Sequence, residues 1–152
     1  MTDPISFASS SPRLGLPLLY AAQAQKETFI NEAHAIADAL LHCAIEGTAT
    51  VPPVASVDGT NWLVAASATG DWLGQDGKLA CRQAGNWLFV TPIDGVQLFN
   101  RATGQVMRFA TGWQAPSLPS APSGGSTVDA EVRAALANLV AKLQIAGVFP
   151  RT

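Results

Sequence analysis

Four tryptophans, each one to three residues after a glycine, constrain the fold of this 152-residue chain more than any other feature. They occur at Gly59-Thr60-Asn61-Trp62, Gly70-Asp71-Trp72, Gly85-Asn86-Trp87 and Gly112-Trp113. Glycine permits the tight turns that join antiparallel strands, and the aromatic beside each turn opens or closes a strand. The pattern therefore predicts a small antiparallel β-sheet or barrel between about residues 57 and 115.

Alternating and apolar runs within this stretch predict the individual strands. A five-residue run that ends in Gly104 separates two of them and suits a hairpin loop. Trp113 is expected to begin a short final strand. The predicted strands are residues 62–65, 78–82, 87–90, 96–99 and 105–109.

Helical patterns flank this β-module. Apolar residues at helical spacing predict a first helix from about Tyr20 to Ile45, after an extended arm over residues 1–18. A second helix is expected from Ser126 or Thr127, where Asp129 makes a capping-box-like start, to Gly147.

The chain is therefore predicted to be α+β, with four consecutive segments. These are an N-terminal arm and helix (1–47), a Trp-rich β-module (48–115), a Pro/Gly/Ser linker (116–126) and a C-terminal helix (127–147).

The last helix carries a heptad pattern. Its apolar residues Val132, Leu136, Leu139 and Leu143 follow one another at steps of four, three and four. Two heptads are too short to be stable alone, so this seam is expected either to pack on the β-module or to meet copies of itself.

Charge is scarce and evenly spread. Charged residues make up only 13% of the chain, about half the share usual for a soluble domain, which favours burial of part of the surface against sister subunits. The net charge is −2 and no basic stripe occurs, which argues against nucleic-acid binding. The apolar runs are too short for membrane insertion, and residues 1–12 lack the features of a secretory signal.

Few residues suggest catalysis or metal binding. His34, Asp38 and His42 are spaced to share one helix face and are candidate metal ligands, but no further ligand accompanies them. Cys43 and Cys81 are expected to be reduced buried thiols, with a disulfide as the alternative. We therefore expect no catalytic residue, no metal and no cofactor.

The acidic residues of the β-module lie beside glycines, where Asp usually serves the turn. These residues are Asp58, Asp71, Asp76 and Asp94. No Gly-x-Ser-x-Gly nucleophile motif and no phosphate-binding loop is present.

The tryptophans have two interpretations. They can form the core of a small sheet, which we favour for Trp62 and Trp87, or their rings can stack on sugars. Trp72 and Trp113 are the candidate glycan contacts, with Asp71 as a hydrogen-bonding partner.

Several motifs together resemble a family of uncharacterised domains found in tail-fibre and spike proteins of alphaproteobacterial phages and gene transfer agents. The resemblance covers about residues 12–115, and the Gln-Ala-Gln-Lys block is its most specific part. The matching runs are Arg13-Leu14-Gly15-Leu16-Pro17, Ala21-Ala22-Gln23-Ala24-Gln25-Lys26-Glu27, Asn31-Glu32-Ala33, Asp38-Ala39-Leu40, Pro52-Pro53, Trp62-Leu63-Val64, Ala68-Thr69-Gly70-Asp71-Trp72 and Gly85-Asn86-Trp87.

This resemblance implies a virion component, made in the bacterial cytoplasm, that associates with other virion structural proteins. Because phage fibres and spikes are commonly trimers, it also implies a homotrimer. The function expected is a tail fibre or head spike that binds host surface polysaccharide. The alternatives are an assembly adaptor of the baseplate or capsid with no glycan ligand, and a metal-dependent depolymerase that uses His34.

Overall fold

The computed structural model of the protein describes residues 26–124 and 129–151. The predicted arm (1–18), the predicted helix start at Tyr20 and the capping residues Ser126 and Thr127 lie outside the described residues. So does most of the Gln-Ala-Gln-Lys block.

Two helices flank eight short strands in the described part of the chain, with a 3₁₀ turn between the third and fourth strands. The helices are α1 (Lys26–Leu40) and α2 (Ala130–Ile145), and the 3₁₀ turn is Gly70–Trp72. The strands are β1 (Ala44–Ile45), β2 (Thr48–Ala49), β3 (Asn61–Val64), β4 (Leu79–Gln83), β5 (Asn86–Val90), β6 (Gln97–Asn100), β7 (Gln105–Phe109) and β8 (Trp113–Gln114). The predicted α+β class, with one helix before and one after the strands, is confirmed.

The strands form two four-stranded sheets. The first has the order β1-β6-β7-β8 and the second has the order β2-β3-β4-β5. Within each sheet one pair is parallel, β1 with β6 and β2 with β3, and the remaining pairs are antiparallel. The antiparallel pairing predicted for a small sheet or barrel is found in most of the strand pairs, but the strands form two mixed sheets. Two strands that the sequence did not reveal, β1 and β2, add to the sheet edges in parallel.

The first of these two strands, β1, arises where the first helix was expected to continue. α1 ends at Leu40, and His42 adopts a left-handed backbone with φ of 52°. Ala44 and Ile45 then pair with β6. Pairing with a distant strand overrides the local helical pattern, since helix propensity is a weak preference that tertiary contacts outweigh.

The strand pairs joined by short turns match the sequence prediction to within one residue. β4 and β5 are joined by Ala84 and Gly85, both with positive φ, as a two-residue hairpin turn requires. β6 and β7 are joined by the loop that ends in Gly104. Turn chemistry that is encoded locally therefore fixes these hairpins.

The main core lies between the two sheets. Ile45 and Leu98 of the first sheet are buried against Leu63 and Leu79 of the second, and Ala39 near the end of α1 joins them. Because side chains alternate along a strand, the second sheet also presents an opposite face. That opposite face is covered by a smaller core.

Trp72 forms the centre of this smaller core. Its side chain has 0% exposure and packs with Val64, Ala68 and Ala80. The ring meets Trp87 edge to face, with centroids 5.1 Å apart and an interplanar angle of 81°. The 3₁₀ turn therefore closes the outer face of the second sheet with one large aromatic side chain.

Both ends of α2 are capped. The side chain of Asp129 accepts a hydrogen bond from Val132 N–H at 2.9 Å. At the other end Gly147 has φ of 74°, and the N–H of Val148 donates to the carbonyl of Leu143 at 2.9 Å. This is a Schellman ending, which a glycine after the last turn permits.

The residues after α2 lie across the β6–β7 hairpin. The carbonyl of Gly147 accepts from Val106 N–H at 2.6 Å, and Arg151 N–H donates to the Thr103 carbonyl at 2.8 Å. Gly104 lies beneath the Arg151 side chain, where a Cβ would come within 2.5 Å of it. The C-terminal tail is therefore tied to the β-module by main-chain hydrogen bonds.

Replacement of the central aromatic tests the smaller core. We expect Trp72→Ala to lower the free energy of unfolding by about 3–5 kcal/mol, because it removes a fully buried ring and leaves a cavity. The neighbouring variant Leu73→Ala serves as the control, since Leu73 is 71% exposed, and its cost should stay below about 0.5 kcal/mol. Urea titration followed by tryptophan fluorescence measures both, and equal costs would contradict the described packing.

Candidate functional site

An open groove of about 550 Å³ runs along the outer side of β7 and β8. Val106 and Arg108 of β7 alternate with inward-facing residues and so point to the same outer face. The groove is lined by Val106, Arg108, Trp113, Gln114, Ala115 and Pro116. It combines one aromatic ring, one cation and one amide with apolar walls, which is a composition suited to binding a polar ligand with an apolar face.

Trp113 lies at the edge of this groove, and its ring is on the face opposite Arg108, because its strand partner is Phe109. It is half-buried, its Nε1–H donates to the carbonyl of Gly77 at 2.9 Å, and it packs edge to face on Phe109 with centroids 5.3 Å apart. The Gly77 bond ties the first sheet to the loop before β4. The ring therefore packs against the main core and is held there by these contacts.

Arg108 and Gln114 are direct partners across the β7–β8 pair. Both are exposed, and Arg108 Nη2 lies 3.5 Å from Gln114 Oε1, which is a long contact. Such a contact holds the guanidinium only weakly.

The groove wall at Pro116 is held in position by Gln105, which is 4% exposed. Its Nε2 donates to the carbonyl of Pro116 at 2.7 Å and to the carbonyl of Val148 at 3.0 Å. A buried amide that satisfies both donors fixes the position of its partners. Gln105 therefore holds the start of the linker and the C-terminal tail against β7.

The predicted glycan contacts lie in different places. Trp113 lines the groove, whereas Trp72 is completely buried and its ring is not available to stack on a sugar. The prediction of a surface role for Trp72 was wrong, because the ring fills the space above Ala80 and beside Trp87. Asp71 is exposed on the 3₁₀ turn and does not line the groove. The structure therefore does not bring the three residues together.

Trp62 and Trp87 pack against the smaller core, as the sheet-core interpretation predicts. Both rings are half-buried, and the Arg82 guanidinium lies 5.1 Å from the centroid of Trp87. This cation–π contact covers one face of the Trp87 ring.

The other acidic residues of the β-module serve turns. Asp76 accepts hydrogen bonds from the N–H groups of Ser67 and Ala68 at 2.8 and 3.0 Å. Asp58 accepts from Gly85 N–H at 3.0 Å, and Asp94 accepts from Thr111 N–H at 2.9 Å. The turn interpretation of these three carboxylates is confirmed.

The His34, Asp38 and His42 set does not follow one helix face. α1 ends before His42, whose left-handed backbone directs the chain into β1. Within residues 26–124 and 129–151, no group of three or more His, Cys, Asp and Glu side chains is placed to hold a metal ion.

Cys43 and Cys81 are both free and buried in the main core. Burial raises the pKa of Cys43 from its ordinary value of 9.0 to about 11. Burial, and secondly the nearby Cys43, raise the pKa of Cys81 to about 12. Neither thiol is therefore activated as a nucleophile at neutral pH.

The second candidate surface is the heptad seam of α2. No described residue of this helix is buried, and Val132, Leu136 and Leu139 are 61%, 42% and 55% exposed. Leu143, nearest the β-module, is half-buried. The seam does not fold back onto its own sheets.

The sequence reasoning missed the groove residues other than Trp113. The run Gln105-Val106-Met107-Arg108-Phe109 was correctly predicted as a strand. The alternation along this strand places Val106 and Arg108 on one face. That alternation was the sequence signal from which these two groove residues could have been predicted. The pairing of Arg108 with Gln114 depends on the turn at Thr111, which has a positive φ of 57° that the sequence does not indicate.

Residues 30–114 match the family model described as Protein of unknown function (DUF2793). This segment includes all eight strands and most of α1. No curated protein shows significant similarity to the chain. Among the described helices, none has the length and apolar character needed to cross a membrane.

The buried thiols predict a dependence of stability on pH. Because their folded-state pKa values are raised, their contribution to stability is complete below pH 9 and is lost as the pH rises toward 11–12. We expect the free energy of unfolding to fall more steeply above pH 9 in the wild type than in Cys43→Ala/Cys81→Ala. Urea titrations from pH 7 to 10.5 measure this, and parallel pH profiles would contradict it.

Proposed function

The chain belongs to the DUF2793 family of proteins of unknown function, and we propose that this member is a non-enzymatic structural subunit of a phage or gene transfer agent particle. It acts as a tail fibre or spike in the virion, assembles as a homotrimer, and attaches the particle to a bacterial surface polysaccharide. The exposed heptad seam of α2 carries this proposal.

The seam favours sister copies of the chain as its partner. Steps of four, three and four are the pattern by which helices of the same kind interlock side chains, and a two-heptad helix needs such a partner for stability. α2 carries only three charged residues, Glu131, Arg133 and Lys142. The Arg133 guanidinium already donates to the carbonyls of Pro122 and Gly124 at 3.0 and 2.6 Å. Little like-charge repulsion therefore opposes the approach of identical helices.

The groove beside Trp113 supports the glycan part of the proposal. The apolar lining at Val106, Ala115 and Pro116 suits the apolar face of a sugar, while Arg108 and Gln114 supply hydrogen-bond donors for its polar groups. Because the groove is open to solvent, we expect one copy to bind a sugar weakly. Three copies on one particle multiply that binding through effective concentration.

Attachment to the particle is assigned to the N-terminal side of the chain. α1 contributes Ala39 and Leu40 near its C-terminal end to the main core, whereas Ile30 is 38% exposed. Ile30 therefore offers an apolar side chain to other virion structural proteins.

The seam generates a prediction about mass in solution. We expect light scattering after gel filtration to give three times the 15.8 kDa mass of the chain. Leu139→Glu, which places a charge in the seam, should yield monomers. Ala134→Glu places the same charge on the outer face of α2 and should leave the trimer intact.

A monomeric wild type would contradict this prediction, and so would equal masses for the two variants. The purified wild type would also be monomeric if the seam packs against an unrelated protein in place of sister copies.

The groove generates a prediction about binding. On an array of bacterial surface polysaccharides, the wild type should bind and Trp113→Ala should lose about tenfold or more in affinity, since an apolar residue at the edge of the groove is lost. Trp113→Phe keeps an aromatic ring and should retain part of the binding. Thermal melting of each variant shows whether loss of the Gly77 hydrogen bond has unfolded it.

One observation favours a second candidate, an assembly adaptor with no glycan ligand. The loop from 51 to 57 exposes three valines, Val51, Val54 and Val57, which suit a protein interface better than a sugar. No signal on the array, together with a stable complex with a purified baseplate or capsid protein, would favour the adaptor. Intact polysaccharide after long incubation would distinguish either candidate from a depolymerase.

A further inference from the structure

We propose that the free edge of strand β5 is a second interface between copies of this chain, in which β5 pairs antiparallel with β5 of another copy across a two-fold axis. This interface lies on the β-module, apart from the seam of α2, and does not depend on the proposed function.

The hydrogen bonds of the second sheet show which backbone groups of β5 face outward. Arg82 N–H donates to the Thr60 carbonyl at 2.9 Å, and the Arg82 carbonyl accepts from Gly59 N–H at 2.8 Å. Arg82 of β4 therefore bonds away from β5. Because bonding alternates along an antiparallel pair, its partner Trp87 directs its own N–H and C=O away from β4, to the free edge of the sheet.

The same alternation continues along β5. Phe89 directs its N–H and C=O outward like Trp87, whereas Leu88 and Val90 bond to β4. Within residues 26–124 and 129–151, no backbone hydrogen bond satisfies the outward groups of Trp87 and Phe89. The edge therefore presents two N–H and C=O sets in the spacing that another strand requires.

This edge lacks the features that usually keep sheet edges apart. Charged side chains, prolines and bulges protect most edge strands. No charged residue occurs between Arg82 and Asp94, Pro92 lies beyond the end of the strand, and the register with β4 is unbroken. β1, β2 and β8, which also lie at sheet ends, are only two residues long, so β5 is the one five-residue edge among the described strands.

Apolar side chains on both faces of β5 favour another β5 as its partner. Leu88 and Val90 pack on the main core, Trp87 and Phe89 pack on the smaller core, and all four stay half-buried. A strand that covers them must be apolar on both faces and must bring no charge that would be buried without a partner. β5 itself meets both requirements.

β5 is also self-complementary in register. With the axis at Leu88, Trp87 of each copy lies opposite Phe89 of the other, and each such pair exchanges two main-chain hydrogen bonds. Aromatic side chains then meet across the strands on the outer face, and the two Leu88 side chains meet on the inner face. The two four-stranded sheets become one continuous sheet, and neither copy keeps a free β5 edge.

The contact is small, so it is expected to be weak. Two five-residue edges bury much less area than a stable dimer interface, and we expect a dissociation constant of about 0.1–1 mM. At the dilution of gel filtration, the trimer mass expected above is therefore unchanged.

Amide hydrogen exchange followed by NMR tests the pairing in full-length Leu139→Glu, in which the seam contact is broken. Between about 50 µM and 1 mM protein, we expect exchange of the Trp87 and Phe89 amides to slow by about two- to threefold, as the free fraction falls. The amides of Leu88 and Val90 already bond to β4 and serve as internal controls, whose exchange should change less. The wild type provides the same measurement if Leu139→Glu does not fold.

Crosslinking tests the register. In a Cys43→Ala/Cys81→Ala background, Leu88→Cys places two thiols opposite each other at the axis, and dissolved oxygen should join them as a disulfide while it is reduced to hydrogen peroxide. Asn86→Cys is the matched control, because its thiol is more exposed but lies about 14 Å along the strand from its counterpart, too far for a disulfide. Thermal melting shows whether each variant is folded.

Exchange at Trp87 and Phe89 that does not depend on concentration, or equal crosslinking of the two cysteine variants, overturns the pairing of β5 with itself. Protection of these amides that requires a different virion protein also overturns it and assigns the edge to a foreign strand. Each of these results leaves the seam and the glycan groove to their own tests.

Discussion

The fold depends on one short segment, residues 43–49, whose backbone hydrogen bonds pass from one sheet to the other. The carbonyls of Cys43 and Ile45 accept from the N–H groups of Phe99 in β6 and of Arg101 just after it, on the side of the first sheet. Glu46 N–H then donates to Asn61, and the Gly47 carbonyl accepts from Leu63, both in the second sheet. Because the same few residues complete both sheets, the sheets are held face to face and Ile45 is sealed between them. Gly47 is buried beside the Trp62 ring at this crossing.

Strand β7 is the second element on which several features converge. Its inward residues reach the core and the tail, since Met107 packs on the main core and Gln105 binds two carbonyls outside the sheet. Its outward residues, Val106 and Arg108, form the groove. The alternation of a single strand therefore links the position of α2, through the tail, to the shape of the candidate ligand site.

Local signals were sufficient for part of this architecture. The hairpins around Gly85 and Gly104 follow from turn residues and alternation, and the second helix follows from its apolar spacing and its glycine stop. β1 and β2 could not be predicted, because their parallel pairing joins residues far apart in sequence and each strand is only two residues long. The site was predicted only at Trp113. Trp72 and Trp113 each follow a glycine closely, and only the packing of the whole chain decides that the first is sealed and the second lies on a groove.

The tail that crosses Gly104 has a mechanical consequence. α2 joins the β-module at one end through a proline-rich linker and at the other through the residues from Gly147 to Arg151, which are fastened to the β6–β7 hairpin. Only the end after Gly147 is fastened by main-chain hydrogen bonds to this hairpin, through Val106 and Thr103. Tension applied to α2 is therefore transmitted to the sheet at this hairpin. The load that the subunit withstands is set by a few main-chain hydrogen bonds acting together there, and not by the strength of the helix.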